Sequence, residues 1–250
     1  TCTVTNNADS EAGKLIRRAR RNSPNAFLGV FGCFAQLKPE EILSNLPVDA
    51  VFGQKEKFLI PNLVNEMLNG NATQNNVSCI DELKFDAALT SDNTERTRAF
   101  LKMQDGCNYK CTFCTIPLAR GKSRSMPLEE ISEYFNKIVE SGYKEVVISG
   151  INLGDYRTDD GKKFVDAVRI IDKLNLDLRV RISSIEPNLL TDEILEITAN
   201  SKMFCPHFHI PLQSGSTEIL RKMKRRYTAE FYADLIYKIK SRIPNCGIGV

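Results

Sequence analysis

Cys107, Cys111 and Cys114 stand with three residues between the first pair and two between the second. Three thiolates packed that tightly suit three irons of a [4Fe–4S] cube and leave the fourth iron without a protein ligand. Such an open iron is a coordination site for a substrate. A zinc knuckle is the plainer alternative, but it wants a fourth Cys or His nearby. Apart from these three, none lies between Asp81 and Cys205.

The composition sets the frame for that chemistry. The 250 residues are 42% hydrophobic and 26% charged, enough for one large globular domain or two smaller ones. The net charge of +3 (34 basic minus 31 acidic) names no partner by itself. No apolar run approaches the ~18 residues of a membrane span, and no signal-peptide pattern opens the chain, so no membrane association is expected. Eight cysteines without a secretory signal argue against a disulfide framework. The clustered three argue for a reducing compartment, and the expected location is cytoplasmic. The chain opens at Thr1 without Met and stops at Gly247–Val250, which reads as a strand just beginning. It is therefore expected to be an internal piece of a longer protein.

Over residues 1–90, helix and strand patterns alternate. Asn6 or Asn7 is the expected cap of a helix over Ala8–Arg21, with Asp9 and Glu11 at its start and Arg17, Arg18, Arg20 and Arg21 at its end, as the helix dipole favours. Strands are expected at Ala26–Phe31 and Val48–Phe52, and helices from Pro39 and over Pro61–Leu68. Alternation of this kind implies a parallel sheet with helices on its faces. Asn69–Asn76 reads as a polar linker. A second domain, 94–250, has strands at Phe100–Met103, Glu145–Ser149, Leu178–Ser183 and His207–Ile210, with another beginning at Ile248. Thr191, Ser216 and Thr228 start helices between them, and Gly142 ends a helix carrying Ile131, Phe135 and Ile138. Strands recurring every 30 to 45 residues or so match βα units. The expected fold is α/β throughout: a partial parallel α/β domain, then a partial (β/α) barrel truncated at its C-terminus. In such barrels the loops after the strands carry the chemistry, and the cysteine loop follows the first strand.

The residues that carry a family resemblance are now in view. Thr1-Cys2-Thr3-Val4-Thr5, Gly32-Cys33-Phe34-Ala35-Gln36, the Cys107 loop, Ile148-Ser149-Gly150-Ile151-Asn152, Arg181-Ile182-Ser183-Ser184-Ile185-Glu186-Pro187 and His209-Ile210-Pro211-Leu212-Gln213-Ser214-Gly215-Ser216 occur in this order. The sequence resembles the radical S-adenosylmethionine (SAM) methylthiotransferases, most closely those acting on N6-threonylcarbamoyladenosine in tRNA. Enzymes for N6-isopentenyladenosine in tRNA or for a ribosomal protein are alternatives within that class. A non-catalytic iron–sulfur or zinc RNA-binding module is an alternative outside it. The resemblance implies a flavodoxin-like N-terminal methylthiotransferase domain.

It also implies that Cys107, Cys111 and Cys114 hold a SAM-cleaving [4Fe–4S] cluster, served by a flavodoxin or ferredoxin type reductant. Cys2 and Cys33, which spacing alone would leave as structural, become two ligands of a second cluster, the third ligand lying upstream. Phe113 either packs on the adenine of SAM or belongs to an ordinary core. Ser149, Gly150 and Asn152 are candidates for the SAM ammonium group. Ser184 and Glu186 are candidates for a ribose or the threonyl group, and Gln213 and Ser214 for the SAM carboxylate. Of the basic residues, Arg120, Lys122 and Arg124 are candidates for tRNA phosphates, and Arg181 for the substrate carboxylate. The run Arg221–Arg226 reads as a solvated face or a phosphate contact. His207 and His209 read as hydrogen-bonded core groups, and Cys79, Cys205 and Cys246 as structural. The protein is expected to be a monomer.

Overall fold

The computed structural model describes Thr3 and residues 5–70, 74–90 and 97–250. Cys2, the middle of the polar linker and the expected domain start near residue 94 lie outside the described residues. Two compact units form: Thr1–Leu83 with Cys114–Gly121, and Lys84–Phe113 with Lys122–Val250.

The first unit opens with α1 (Asn6–Asn22). Its cap is Thr5, one residue earlier than expected, whose hydroxyl accepts the Ala8 N–H at 3.1 Å. A β-branched hydroxyl in extended backbone does this as well as an amide. The elements then run β1 (Gly29–Phe31), α2 (Cys33–Leu37), α3 (Pro39–Asn45), β2 (Ala50–Phe52), α4 (Ile60–Leu68) and β3 (Asn75–Asn76). All three strands are parallel, in the order β1-β2-β3. The end of the expected linker is thus a short strand, because two polar residues can join a ladder through backbone alone. Ile16, Val30, Phe34, Ala35, Ile42 and Val51 form the core. Arg20 does not belong to the exposed basic face. Its guanidinium donates to the carbonyls of Pro24, Ala26 and Pro47 and pairs with Asp49 at 2.6 Å. A fifth helix, α5 (Ile116–Arg120), packs against α2. It ends at Gly121, whose φ of +73° and approach to the Ile80 carbonyl, 3.1 Å from where a Cβ would lie, require glycine.

The second unit holds β4 (Ala88–Leu89), β5 (Ala99–Lys102), β6 (Gln104–Asp105), β7 (Arg124–Ser125), α6 (Ile131–Glu140), β8 (Glu145–Ser149), α7 (Phe164–Lys173) and β9 (Arg179–Ile182). After them come α8 (Asp192–Asn200), β10 (His207–His209), α9 (Thr217–Lys222), α10 (Ala229–Arg242) and β11 (Gly247–Gly249). Strands β5, β8 and β9 pair in parallel, and β10 pairs in parallel with β11. Single parallel bridges, Val180 with Phe204 and Ser184 with His209, carry the sheet from one set to the other. No closed barrel forms among the described residues. Instead β4 adds to β5 antiparallel, an edge the βα pattern did not suggest. Thr191, Ser216 and Thr228 cap their helices as expected, each hydroxyl accepting a backbone N–H from the first turn. Leu101, Ile148, Val180, Ile182 and Phe208 are buried in one core with Phe135, Val168, Leu195 and Ile239 of the helices. Among the described residues no helix is long and apolar enough to cross a membrane.

Leu101 is fully buried at the centre of this core. Leu101→Ala should lower unfolding free energy by about 2–5 kcal/mol, the usual cost of a leucine-sized cavity, read from urea denaturation. A loss below about 1 kcal/mol would mean that β5 is not packed as described.

Candidate functional site

In the second unit the carboxyl ends of β5, β8, β9 and β10 meet, and the cysteine loop emerges there. Its two flanks are tied by the β6–β7 hairpin, in which Gln104 faces Ser125 and Asp105 faces Arg124. Asp105 is 1% exposed and is held by Arg124 at 3.1 Å and Lys102 at 3.6 Å, while its Oδ1 accepts the Gly106 N–H. Arg124 also donates to the carbonyls of Lys84 and Lys122. It is an ion-pair partner of Asp105. Lys122 is exposed.

Gln104 uses both ends of its amide. Nε2 donates to the carbonyls of Asp105 and Gly106 and to Ser123 Oγ, and Oε1 accepts the Asn152 N–H at 2.9 Å. One buried side chain thus binds the start of the cysteine loop to the loop after β8. Gly150 lies so close that a Cβ there would stand 2.9 Å from Gln104 Oε1, so glycine is needed for this approach. Ser149 donates to the Leu101 carbonyl. Asn152 is 3% exposed, yet neither its Oδ1 nor its Nδ2 has a partner. A buried amide left in this state costs stability and is chemically suited to a polar ligand.

Cys107 and Cys111 are each 9% exposed. The Cys107 sulfur accepts the Tyr109 N–H at 3.4 Å. Tyr109 is buried, hydrogen-bonded to Asn188, and covered by the Arg226 guanidinium 3.9 Å from its ring centre. Burial first of all pushes its hydroxyl pKa up. The Cys111 sulfur accepts from Arg225 Nη1 at 3.3 Å, and Arg225 Nη2 pairs with both carboxylate oxygens of Glu186. Both side chains are largely hidden, at 5% and 12% exposure. Glu186 is therefore engaged by Arg225. Burial pushes its pKa up against the pull of Arg225. Burial also works against the charge of Arg225, but Glu186 and Tyr227 more than offset it and the guanidinium stays protonated.

Arg225 was hidden in the basic run because periodicity treats that run as one face. Helix α9 ends in a Schellman turn: Lys224 has φ +57°, its N–H bonds the Arg221 carbonyl, and the Arg225 N–H bonds the Leu220 carbonyl. This reversal sends Arg225 inward and leaves Arg221, Lys222 and Lys224 outside.

The remaining candidates are placed as follows. Phe113 is 46% exposed, so it is not a core residue. Ser184 Oγ and His209 Nδ1 are hydrogen-bonded at 2.6 Å, as a partnered histidine was expected to be. Burial, and next to it Arg181, lowers the pKa of His207, whose Nδ1 is buried without the hydrogen-bond partner that was expected. Gln213 has φ +65°, and Ser214 Oγ accepts the Ser216 N–H beside the cap of α9. Arg181 lies within β9. It bonds Glu145 at 3.3 Å, as does Arg179 at 3.0 Å, at the amino end of β8 and away from the strand ends that bear the site.

In the first unit, Cys33 opens α2 at the carboxyl end of β1, where parallel sheets form ligand sites. Its sulfur accepts from Arg120 Nε at 3.4 Å. Cys114 precedes α5 in the segment that packs in this unit.

The donor set fits an iron–sulfur cube. Cys107, Cys111 and Cys114 form no disulfide, and two of their sulfurs already accept N–H groups. Among the described residues no three His, Cys, Asp or Glu side chains converge on one metal ion. Cube ligands need not meet on one ion, because each sulfur takes a different iron.

The family model for the radical SAM superfamily matches residues 101–250, and the model for Uncharacterized protein family UPF0004 matches residues 1–53. The chain belongs to the radical SAM superfamily. It is 39% identical over 99% of its length to the threonylcarbamoyladenosine tRNA methylthiotransferase MtaB of Bacillus subtilis, covering 56% of that protein. It is 38% identical, again over 99%, to the tRNA-2-methylthio-N(6)-dimethylallyladenosine synthase of Fusobacterium nucleatum, covering 58% of it. The chain thus spans little more than half the length of these curated relatives. Among solved structures, the fold is similar to the radical SAM methyltransferase TsrM of Kitasatospora setae, with a TM-score of 0.69, 15% identity, and coverage of 93% of this chain and 51% of that one.

Gln104→Ala would leave the Asn152 N–H and the Asp105 and Gly106 carbonyls without their partner. It should cost about 1–3 kcal/mol, the range for buried polar groups left unsatisfied, seen as a lower denaturation midpoint. An unchanged midpoint would show that the clamp does not form.

Proposed function

We propose that this chain carries the catalytic core of a tRNA methylthiotransferase, which places a methylthio group on C2 of N6-threonylcarbamoyladenosine next to the anticodon. The observation that carries this reading is the clamped cysteine loop beside Asn152, with a second cysteine site at Cys33. When bound at Cys107, Cys111 and Cys114, a reduced [4Fe–4S] cluster supplies the electron that cleaves SAM, giving a radical able to attack an unactivated C–H carbon. The protein's own task is to hold the loop and exclude water. Gln104 and Asp105 fix the loop's flanks, and Arg225 fixes Cys111. The Asn152 amide receives the amino or carboxylate end of SAM, with Ser149 and Gly150 alongside, while Gln213 and Ser214 close the approach from β10. Cys33, with Cys2, holds the second cluster, and Arg120 steadies the Cys33 sulfur. The electron comes from a flavodoxin or ferredoxin type reductant, and the enzyme works as a cytoplasmic monomer on tRNA.

Relatives named for threonylcarbamoyladenosine, at 38–39% identity, support the substrate. The 38% identity to the dimethylallyladenosine enzyme supports the second reading, the isopentenyl-type substrate. In the full-length protein, Cys111→Ala should abolish 5′-deoxyadenosine formation from SAM and reductant. Cys33→Ala should retain that cleavage but make no methylthiolated product. Methylthiolation surviving Cys111→Ala would end the radical reading. Nucleoside mass spectrometry of tRNA from cells lacking the gene should show threonylcarbamoyladenosine without its methylthio derivative. Loss of the dimethylallyl derivative instead would select the second substrate.

A further inference from the structure

Two sulfurs of the cysteine loop receive hydrogen bonds of different kinds. Cys107 accepts from a neutral backbone amide, that of Tyr109, at 3.4 Å. Cys111 accepts from the charged guanidinium of Arg225, at 3.3 Å, with the donor side chain only 5% exposed. A charged donor in a dry site acts on its acceptor more strongly than a neutral one. Arg225 is in turn gripped by Glu186, so a positive and a negative charge stand one after the other behind a single sulfur. Each end is positioned by the fold. The Schellman turn after α9 aims Arg225 inward, and Glu186 follows the β9 strand, just before Pro187. The Arg225 guanidinium also lies 5.4 Å from the centre of the Tyr227 ring, whose hydroxyl donates to the Pro211 and Leu212 carbonyls.

We infer that Arg225 and Glu186 form an opposed pair that sets the reduction potential of the cluster held by Cys111. This rests on the cluster reading proposed above. Hydrogen bonds to cluster sulfurs and nearby charge are the protein's means of tuning such potentials. Reduction adds one electron to the cube from an external one-electron donor. The Arg225 N–H and its positive charge stabilise that added electron and raise the potential. The Glu186 carboxylate opposes it and lowers the potential. Arg225 is a positioning residue acting through Cys111.

The test is an EPR-monitored redox titration of the anaerobically reconstituted full chain, with iron and sulfide counted for every variant. Arg225→Met should shift the midpoint downward, and Arg225→Lys should fall between Arg225→Met and the unsubstituted protein. Glu186→Gln keeps the arginine but removes the counter-charge, so its midpoint should shift upward. A merely structural pair would not move the two in opposite directions. If Arg225→Met fails to retain a cluster, Glu186→Gln decides alone. A full cluster with an unchanged midpoint in Glu186→Gln overturns the inference while leaving the cluster reading intact. A wild-type chain that assembles no cluster overturns both.

Discussion

The amide of Gln104 is the constraint on which the site depends. It sits 1% exposed between the two ends of the cysteine loop and the loop after β8, and it accepts one hydrogen bond while donating three. A buried amide in that position must be satisfied or the fold loses stability. Satisfying it fixes the path of Asp105 and Gly106 into the cysteine loop, the position of Ser123 at the loop's exit, and the backbone of Asn152. Gly150 follows from the same requirement, since any side chain there would meet the amide.

Among the buried polar atoms of the second unit without a partner, which include Tyr143 Oη, Thr198 Oγ1 and His207 Nδ1, two groups bear on the site. Both polar atoms of the Asn152 side chain and Arg225 Nε are buried without partners. Each is a cost to the isolated chain, of order 1–3 kcal/mol for a neutral group. Asn152 is tied to the start of the cysteine loop through Gln104, and Arg225 to the Cys111 sulfur. Stability of the second unit is supplied elsewhere, by the apolar contact of β5, β8 and β9 with the helices.

Much of this was legible in the sequence, for physical reasons that can be named. The three cysteines announce themselves by covalent spacing. Val146–Ile148, the middle of β8, is a continuous apolar run because the strand is covered on both faces, and the hydroxyl caps at Thr191, Ser216 and Thr228 sit at the start of their own helices. What stayed hidden depends on partners far away in sequence. The strands at Asn75–Asn76, Gln104–Asp105 and Arg124–Ser125 are two residues long and show no period. Arg20, Arg120, Arg124, Arg181 and Arg225 all look like surface charge in one dimension. Each is claimed by a carboxylate, carbonyl or sulfur that only the tertiary fold supplies. The Arg225 partner of Glu186 lies 39 residues further along the chain, where no sequence pattern joins the two.

The central claim is that Cys107, Cys111 and Cys114 present a cluster with one iron open to SAM. EPR of the reduced, reconstituted protein with and without SAM tests it most directly, carried out in a variant with Cys33 replaced so that a single cluster is observed. The account predicts a reduced [4Fe–4S] signal whose g-values change when SAM is added, with hyperfine coupling to nitrogen-labelled SAM. A cluster signal that SAM leaves unaltered, with no coupling to the label, would contradict it.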